Sequence, residues 1–131
     1  MRAIIFINGT VDDYSVLDHS LEPDDYLIAA DGGVYHCLAI NRTPHALVGD
    51  LDSVDPATVD TLALQHVHIK RYPAEKNETD LELALGYALS LANDHALSAI
   101  VLVGTMGGRL DQMLGNVLIL AQREWPIPVL L

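Results

Sequence analysis

Short apolar runs alternate with amphipathic stretches along the chain, and the two patterns predict strands and helices in turn. Continuous apolar runs predict strands near 3–7, 26–30, 46–48, 67–71, 99–103 and 128–131. Apolar residues at helical spacing predict helices over 79–93 and 109–124, each with one apolar face. Strands that are apolar throughout are typical of parallel sheets covered on both faces. The chain is therefore predicted to form a doubly wound, mostly parallel α/β sheet of about six strands with helices on both faces.

Local signals also mark where two helices begin. Asp55 stands before Pro56, which suits an N-cap followed by proline in the first helical position. Thr79 and Glu82 have the spacing of a capping box, in which each side chain bonds to the backbone of the other residue.

Composition limits the classes of protein that need to be considered. A chain of 131 residues with 50% apolar residues is long enough for one domain with a real core. Its formal charge of −11 argues against nucleic acid or an anionic membrane as the main partner, because both are bound by surplus Lys and Arg. The lone Cys37 excludes an internal disulfide, and the apolar run 3–7 is too short for a signal peptide or a membrane span. We expect a soluble, cytoplasmic protein.

The predicted topology brings the loops that follow the strands to one edge of the sheet, where ligands of open α/β sheets bind. Most of the unusual residues lie in these loops, which span 8–10, 31–33, 49–53, 72–80 and 104–111.

Two carboxylates in the third of these loops are candidates for metal binding. If the segment is extended, Asp50 and Asp52 point the same way and can face one point, where Mg²⁺ finds the hard oxygen ligands that it prefers. An alternative is that both are turn residues, one of which caps the next helix. Asp31 and Asp80 are predicted at the same edge, each at a helix entrance, and four acids in one crevice favour a bound cation.

Glycine and basic residues add the features of a phosphate site. Gly32-Gly33, Gly104 and Gly107-Gly108 fall where strands give way to helices, so main-chain N–H groups can approach a phosphate there. Neither loop is a Walker A motif, and each taken singly also fits a tight turn. Lys76 and Arg109 lie in the motif loops, with Lys70 and Arg71 just before them. These cations can bind phosphate, although solvated surface positions are the ordinary alternative.

Four motifs in order, ADGG (30–33), GDLDS (49–53), PAEKNETDLELAL (73–85) and GTMGGRLDQMLGN (104–116), closely resemble the catalytic domain of thiamine pyrophosphokinase. The resemblance covers almost the whole chain, from Asn8-Gly9 to the last strand. It implies the Mg²⁺-dependent reaction of ATP with thiamine to give AMP and thiamine diphosphate.

The same resemblance implies roles for individual residues. Magnesium would be held by Asp50, Asp52 and Asp80. Catalysis would involve Asp52, Asp80, Lys76, Arg109 and Asp111, with Asp80 or Asp111 as acceptor of the hydroxyl proton. ATP would lie over Asn8, Gly9, Asp31, Gly32, Gly33, Thr79, Gly107, Gly108 and Arg109. His36 and Cys37, on a presumed helix after Gly33, are expected to be packing or surface positions.

The chain departs from the family pattern at two positions. Asn77 stands where the family usually has Asp, and Gln112 stands where it commonly has His. We also expect residues 1–131 to form a single catalytic domain that lacks the family's C-terminal all-β thiamine-binding domain, and we expect a homodimer in the full-length protein.

Other functions fit part of the pattern. A pyrophosphokinase for another alcohol, such as a pterin, could use the same crevice, and so could a nucleotide-binding module without turnover. A D-x-D glycosyltransferase explains neither TDLE (79–82) nor GGRLD (107–111).

Overall fold

A computed structural model describes residues 1–73, 79–92 and 97–104, together with the backbone of 129–130. Its strands are β1 (Arg2–Phe6), β2 (Tyr26–Ala30), β3 (Ala46–Gly49), β4 (His68–Arg71), β5 (Ala99–Val103) and β6 (Val129–Leu130). Its helices are α1 (Tyr14–Ser20), α2 (Val34–Ala39), α3 (Pro56–Leu64) and α4 (Asp80–Leu91), and a 3₁₀ turn, Asp31–Gly33, leads into α2.

The described strands form one sheet in the order β4-β3-β2-β1-β5-β6, and every neighbouring pair is parallel. The predicted parallel, doubly wound α/β fold is confirmed. The chain winds outward from β1 to β4 and then returns to the other side of β1. The order therefore reverses between β1 and β5, the position at which open α/β sheets form a ligand crevice.

Alternation along the strands places apolar side chains on both faces of the sheet. In β1, Ile5 packs in a core cluster with Leu81 and Leu85 of α4, whereas Ile4 and Phe6 belong to a cluster on the other face. That second face is covered by α1, α2 and α3. Burial on both faces explains why the inner strands are almost wholly apolar, whereas the outer strand β4 is largely exposed and carries Lys70 and Arg71.

The two predicted helix starts are confirmed. The Asp55 side chain accepts from the N–H of Ala57 with Pro56 next to it, and Thr79 and Glu82 form the reciprocal capping box of α4. The apolar periodicity did not predict α1, because this seven-residue helix buries only Leu17. The helix predicted over 109–124 lies outside the described residues. No helix in the described ranges combines the length and hydrophobicity that crossing a membrane requires.

Candidate functional site

Three acids from different parts of the chain meet at the carboxyl edge of the sheet. Asp31 follows β2 directly, Asp50 follows β3, and Asp80 is the first residue of α4. Each offers one carboxylate oxygen, and these oxygens all lie within 4.8 Å of one another. Asp31 is only 6% exposed, whereas Asp50 and Asp80 are partly exposed. The parallel topology thus brings together residues that are up to 49 positions apart in the sequence (80 − 31).

Asp52 lies beside this group but outside it. The extended geometry assumed for Asp50 and Asp52 is wrong, because Leu51 between them has a φ of 67° and its side chain is buried in the core. The chain turns there, and the N–H of Asp52 donates to Oδ1 of Asp50 at 3.1 Å. The side chain of Asp52 is consequently exposed at the mouth of the site.

The backbone around the acids has uncommon φ angles and leaves little space for added side chains. Asp31 has a φ of 47°, an uncommon conformation for a residue other than glycine, and its Oδ1 accepts from the N–H of Ser53 at 3.3 Å. Gly49, with a φ of 127°, ends β3 between the acids. A Cβ at Gly49 would lie 3.0 Å from Oδ1 of Asp80 and 3.4 Å from Cβ of Asp31. Glycine at this position therefore gives the carboxylates room to converge.

The acids raise one another's proton affinity. Burial, together with the negative charges of Asp31, Asp50 and Asp52, raises the pKa of Asp80 to about 6. Burial also raises the pKa of Asp31, against the lowering effect of the Ser53 hydrogen bond. Among the described residues, no Lys or Arg forms an ion pair with these acids. Within the part of the chain that the structure describes, the arrangement has the hard oxygens and the negative charge that suit a divalent cation.

The loop after β1 lies next to this group and contacts the turn after β2. A Cβ at Gly32 would lie 2.9 Å from Cγ of Asn8, so the Asn8 side chain covers that glycine. A Cβ at Gly33 would collide with the Phe6 carbonyl, so the turn can approach β1 this closely only without a side chain. Asn8, Gly9, Gly32 and Gly33, all predicted to bind nucleotide, thus come together at one edge.

The remaining candidates have different surroundings. The hydroxyl of Thr79 accepts from the Glu82 N–H, so this side chain is engaged in capping α4. Lys70 and Arg71 lie on the outer strand β4 and are exposed. The other predicted site residues, Lys76, Gly107, Gly108, Arg109 and Asp111, lie outside the described residues, as do the departures Asn77 and Gln112.

Sequence analysis gave no binding role to His36, which is buried and bonded to the loop after β1. Its Nε2 lies 2.7 Å from the carbonyl oxygen of Gly9, and its Nδ1 lies 2.9 Å from the hydroxyl of Tyr14. A lone histidine on a helix carries no sequence signal of such contacts.

Comparison with known proteins identifies the family. Residues 17–130 match the model of the thiamin pyrophosphokinase catalytic domain. The chain belongs to this family. It is 34% identical to a thiamine pyrophosphokinase of Bacillus subtilis over 93 residues, which make up 71% of this chain and 42% of that protein.

Solved structures agree with this family and with the fold. A thiamin pyrophosphokinase of Geobacillus thermodenitrificans superposes with a TM-score of 0.71 and 30% identity over 98% of this chain and 58% of that one. The Bacillus subtilis enzyme superposes with a TM-score of 0.74 and 26% identity over 93% of this chain and 55% of that one. The chain spans about half the length of these relatives.

Proposed function

We propose that this chain binds Mg²⁺ and ATP in the crevice and forms the catalytic part of a thiamine pyrophosphokinase, which transfers pyrophosphate from ATP to thiamine. The observation that carries the proposal is the convergence of Asp31, Asp50 and Asp80 at the carboxyl edge of the sheet. Family membership supports the choice of reaction, because the matched family and the relatives are named for it.

Magnesium is assigned to Asp50 and Asp80, with Asp31 as the third carboxylate facing the same point. Asp52 stays in the proposed set because its exposed carboxylate lies close enough to raise the pKa of both Asp31 and Asp80. A bound Mg²⁺ supplies electrostatic stabilisation of negative charge on phosphate oxygens. Without a cation the three carboxylates repel one another. A cation relieves this repulsion, so the group binds it more tightly than a single carboxylate would.

The glycine-containing edge is assigned to ATP. Main-chain groups of Asn8, Gly9 and the turn Asp31–Gly33 lie at the carboxyl ends of the paired strands β1 and β2, and we assign the polyphosphate to this edge. Gly107, Gly108 and Arg109 complete the proposed nucleotide site from the loop after β5, and Thr79 supports it by fixing the first turn of α4.

In the proposed reaction, the thiamine hydroxyl oxygen bonds to the β-phosphorus of ATP. The bond from that phosphorus to the oxygen bridging to the α-phosphate breaks, and AMP leaves with the bridging oxygen. Lys76 and Arg109 balance the charge that develops on the transferred group. The hydroxyl proton passes to a carboxylate, for which Asp80 and Asp111 are the candidates. We expect the enzyme to act in the cytoplasm as a homodimer.

The test is calorimetric titration of the chain with ATP in the presence and absence of Mg²⁺, followed by measurement of AMP formed with thiamine. We expect ATP to bind only with Mg²⁺, and Asp50→Asn to lose this binding while the circular dichroism spectrum stays unchanged. Asp60→Asn is the matched control, because Asp60 is an exposed acid on α3. Failure of the wild-type chain to bind Mg²⁺ and ATP would refute the proposal.

The acceptor is tested separately. Thiamine-dependent AMP formation supports the proposed substrate, whereas AMP formation with a hydroxymethyl pterin alone assigns the crevice to another pyrophosphokinase. ATP binding without AMP formation from either acceptor, even when the chain is joined to the remaining half of a relative, indicates a binding module.

A further inference from the structure

We propose that His36 is a positioning residue that fixes the loop 8–10 for the nucleotide, through the hydrogen bond from its Nε2–H to the Gly9 carbonyl. The inference rests on the proposed function, because it concerns the same crevice. It assigns a binding-site role to a side chain that touches neither the acids nor, as proposed, the ATP.

The contacts of His36 link three segments of the chain, and a fourth lies close by. The residue lies on α2 and bonds to Gly9 in the loop after β1 and to Tyr14 at the start of α1. A Cβ at Gly104, in the loop after β5, would lie 3.3 Å from Nε2. The residue is only 8% exposed. His36 therefore stands behind the point between β1 and β5 where the strand order reverses.

The hydrogen bonds specify which ring nitrogen carries the proton. A carbonyl oxygen can only accept, so the 2.7 Å contact with Gly9 requires a proton on Nε2. Nδ1 can then accept the hydroxyl hydrogen of Tyr14 at 2.9 Å. This Tyr14–His36–Gly9 chain is directional, and the other neutral tautomer would set a lone pair of Nε2 against the carbonyl oxygen.

The hydrogen bond between His36 and Gly9 lies at the edge of the sheet that we assign to ATP. Gly9 follows Asn8, whose side chain covers Gly32, and the Gly9 N–H bonds back to the Ile7 carbonyl at 2.8 Å. The loop is thus bonded at the Gly9 N–H to Ile7, the residue after β1, and at the Gly9 carbonyl to His36. Holding both groups preorganises the loop for a ligand, so less ordering is required when the nucleotide binds.

Two amide substitutions separate the two hydrogen bonds. In His36→Gln the side-chain amide reaches as far as Nε2 and can still donate to Gly9. In His36→Asn the amide is one methylene shorter, reaches only the position of Nδ1 and can bond to Tyr14 alone. The two variants carry the same amide group and differ only in the length of the side chain.

We expect His36→Asn to weaken binding of ATP in the presence of Mg²⁺ by about tenfold and His36→Gln to stay within about twofold of the wild type. Binding of Mg²⁺ alone should be unchanged in both, because the acids that we assign to the metal have no described contact with His36. Hydrogen exchange at Gly9 and Thr10 should be faster in His36→Asn only. Equal ATP affinity and equal exchange in the two variants would overturn the inference.

A measurement on the wild type does not depend on any variant folding or on ATP. Long-range ¹⁵N–¹H correlation spectra, with the His36 ring assigned through its own backbone resonances, should show a proton on Nε2. Protonation on Nδ1 alone contradicts the inference. A wild-type chain that binds no ATP refutes the proposed function, while the tautomer and the exchange rates still decide whether His36 holds the loop.

Discussion

Single residues in the crevice have conformations and charges that the fold alone does not require. Asp31, a member of the acid group, and Leu51, next to Asp50, are non-glycine residues with positive φ. Backbone strain of this kind persists where surrounding structure enforces it, and it concentrates at functional sites. Without metal, the converging carboxylates store unfavourable charge repulsion. The site therefore costs stability in the free chain, and a cation bound as proposed would offset that cost.

Asp80→Asn should increase the stability of the metal-free chain in a pH-dependent way. Asp80 has a pKa of about 6 when folded, against an ordinary value of 3.8, so the folded state binds its proton more tightly. The contribution of Asp80 to stability is therefore present below about pH 4 and is lost as the pH rises through about 6. Relative to wild type, we expect Asp80→Asn to gain about 1–3 kcal/mol at pH 7.5 and nothing at pH 4.

Urea unfolding of both proteins at several pH values in EDTA measures this difference. Asp60→Asn, on the exposed face of α3, serves as the control and should show no such change between the two pH values. A constant difference between Asp80→Asn and wild type across the range contradicts the prediction.

Gly49→Ala should damage both the fold and the metal site. The positive φ strains any residue with a Cβ, and that Cβ would lie 3.0 Å from Asp80 Oδ1 and push the carboxylate aside, so we expect a loss of about 1–3 kcal/mol and weaker Mg²⁺ binding. Gly86→Ala is the matched control. Gly86 is exposed on α4 with nothing within 4 Å of an added Cβ, and alanine should stabilise the helix there by roughly 0.5–1 kcal/mol. Chemical unfolding and Mg²⁺ titration report on both variants, and a Gly49→Ala chain as stable as Gly86→Ala would contradict the account.

At the scale of secondary-structure elements, the positions of the acids are set by the ends of strands and by the start of a helix. The acids follow the last residues of β2 and β3 or begin α4, so the strand register and the start of one helix determine how closely they approach. Helix α4 packs Leu81, Ala84, Leu85 and Ala88 against the sheet, and its capping box fixes the first turn, which contains Asp80. The cap thus links a local sequence signal to the geometry of the crevice.

Thr79→Ala should destabilise the first turn of α4 and with it the position of Asp80. Loss of the hydroxyl that accepts the Glu82 N–H costs about 1 kcal/mol of stability, and fraying of the first turn should reduce Mg²⁺ affinity as well. Thr79→Ser keeps the hydroxyl and should retain most of both. Unfolding and Mg²⁺ titration compare the two substitutions, and an alanine variant that matches the serine variant in both measurements would show that the cap does not position Asp80.

At the scale of the whole molecule, the formal charge of −11 and the parallel sheet act together. The general negative charge disfavours compaction and is relieved by any salt. The acid group is different, because three carboxylates at one point favour an ion of small radius and double charge. General screening and site binding can therefore be separated by experiment.

MgCl₂ should raise the melting temperature more than KCl at the same ionic strength. The additional rise with MgCl₂ is expected because an ion that binds only the folded chain stabilises it by mass action. At an ion concentration of one hundred times the dissociation constant, this stabilisation is about 2.7 kcal/mol. Asp50→Asn and Asp80→Asn should lose the additional rise in melting temperature with MgCl₂, and Asp60→Asn should keep it. Scanning fluorimetry provides the measurement, and equal effects of the two salts on the wild type would exclude a specific site in the free chain.

Much of the architecture could be predicted from the sequence because the signals are local. Apolar runs located β1 to β5 to within a residue or two, and Asp55 and Thr79 marked the starts of α3 and α4. The side-chain direction of Asp52 could not be predicted, because it depends on the left-handed conformation that core packing imposes on Leu51. His36 was taken for a packing or surface position for a similar reason, since its partners Gly9 and Tyr14 are 27 and 22 residues away.

The sequence by itself determined the fold class, the family and the edge of the sheet at which the unusual residues gather, because periodicity, capping and ordered motifs are properties of neighbouring residues. Only the tertiary structure decided that Asp31 joins Asp50 and Asp80 while Asp52 is exposed beside them, and that His36 bonds to Gly9 in the loop after β1. Distances between side chains depend on strand register, turn conformation and packing between elements. These are fixed only when the whole sheet is assembled.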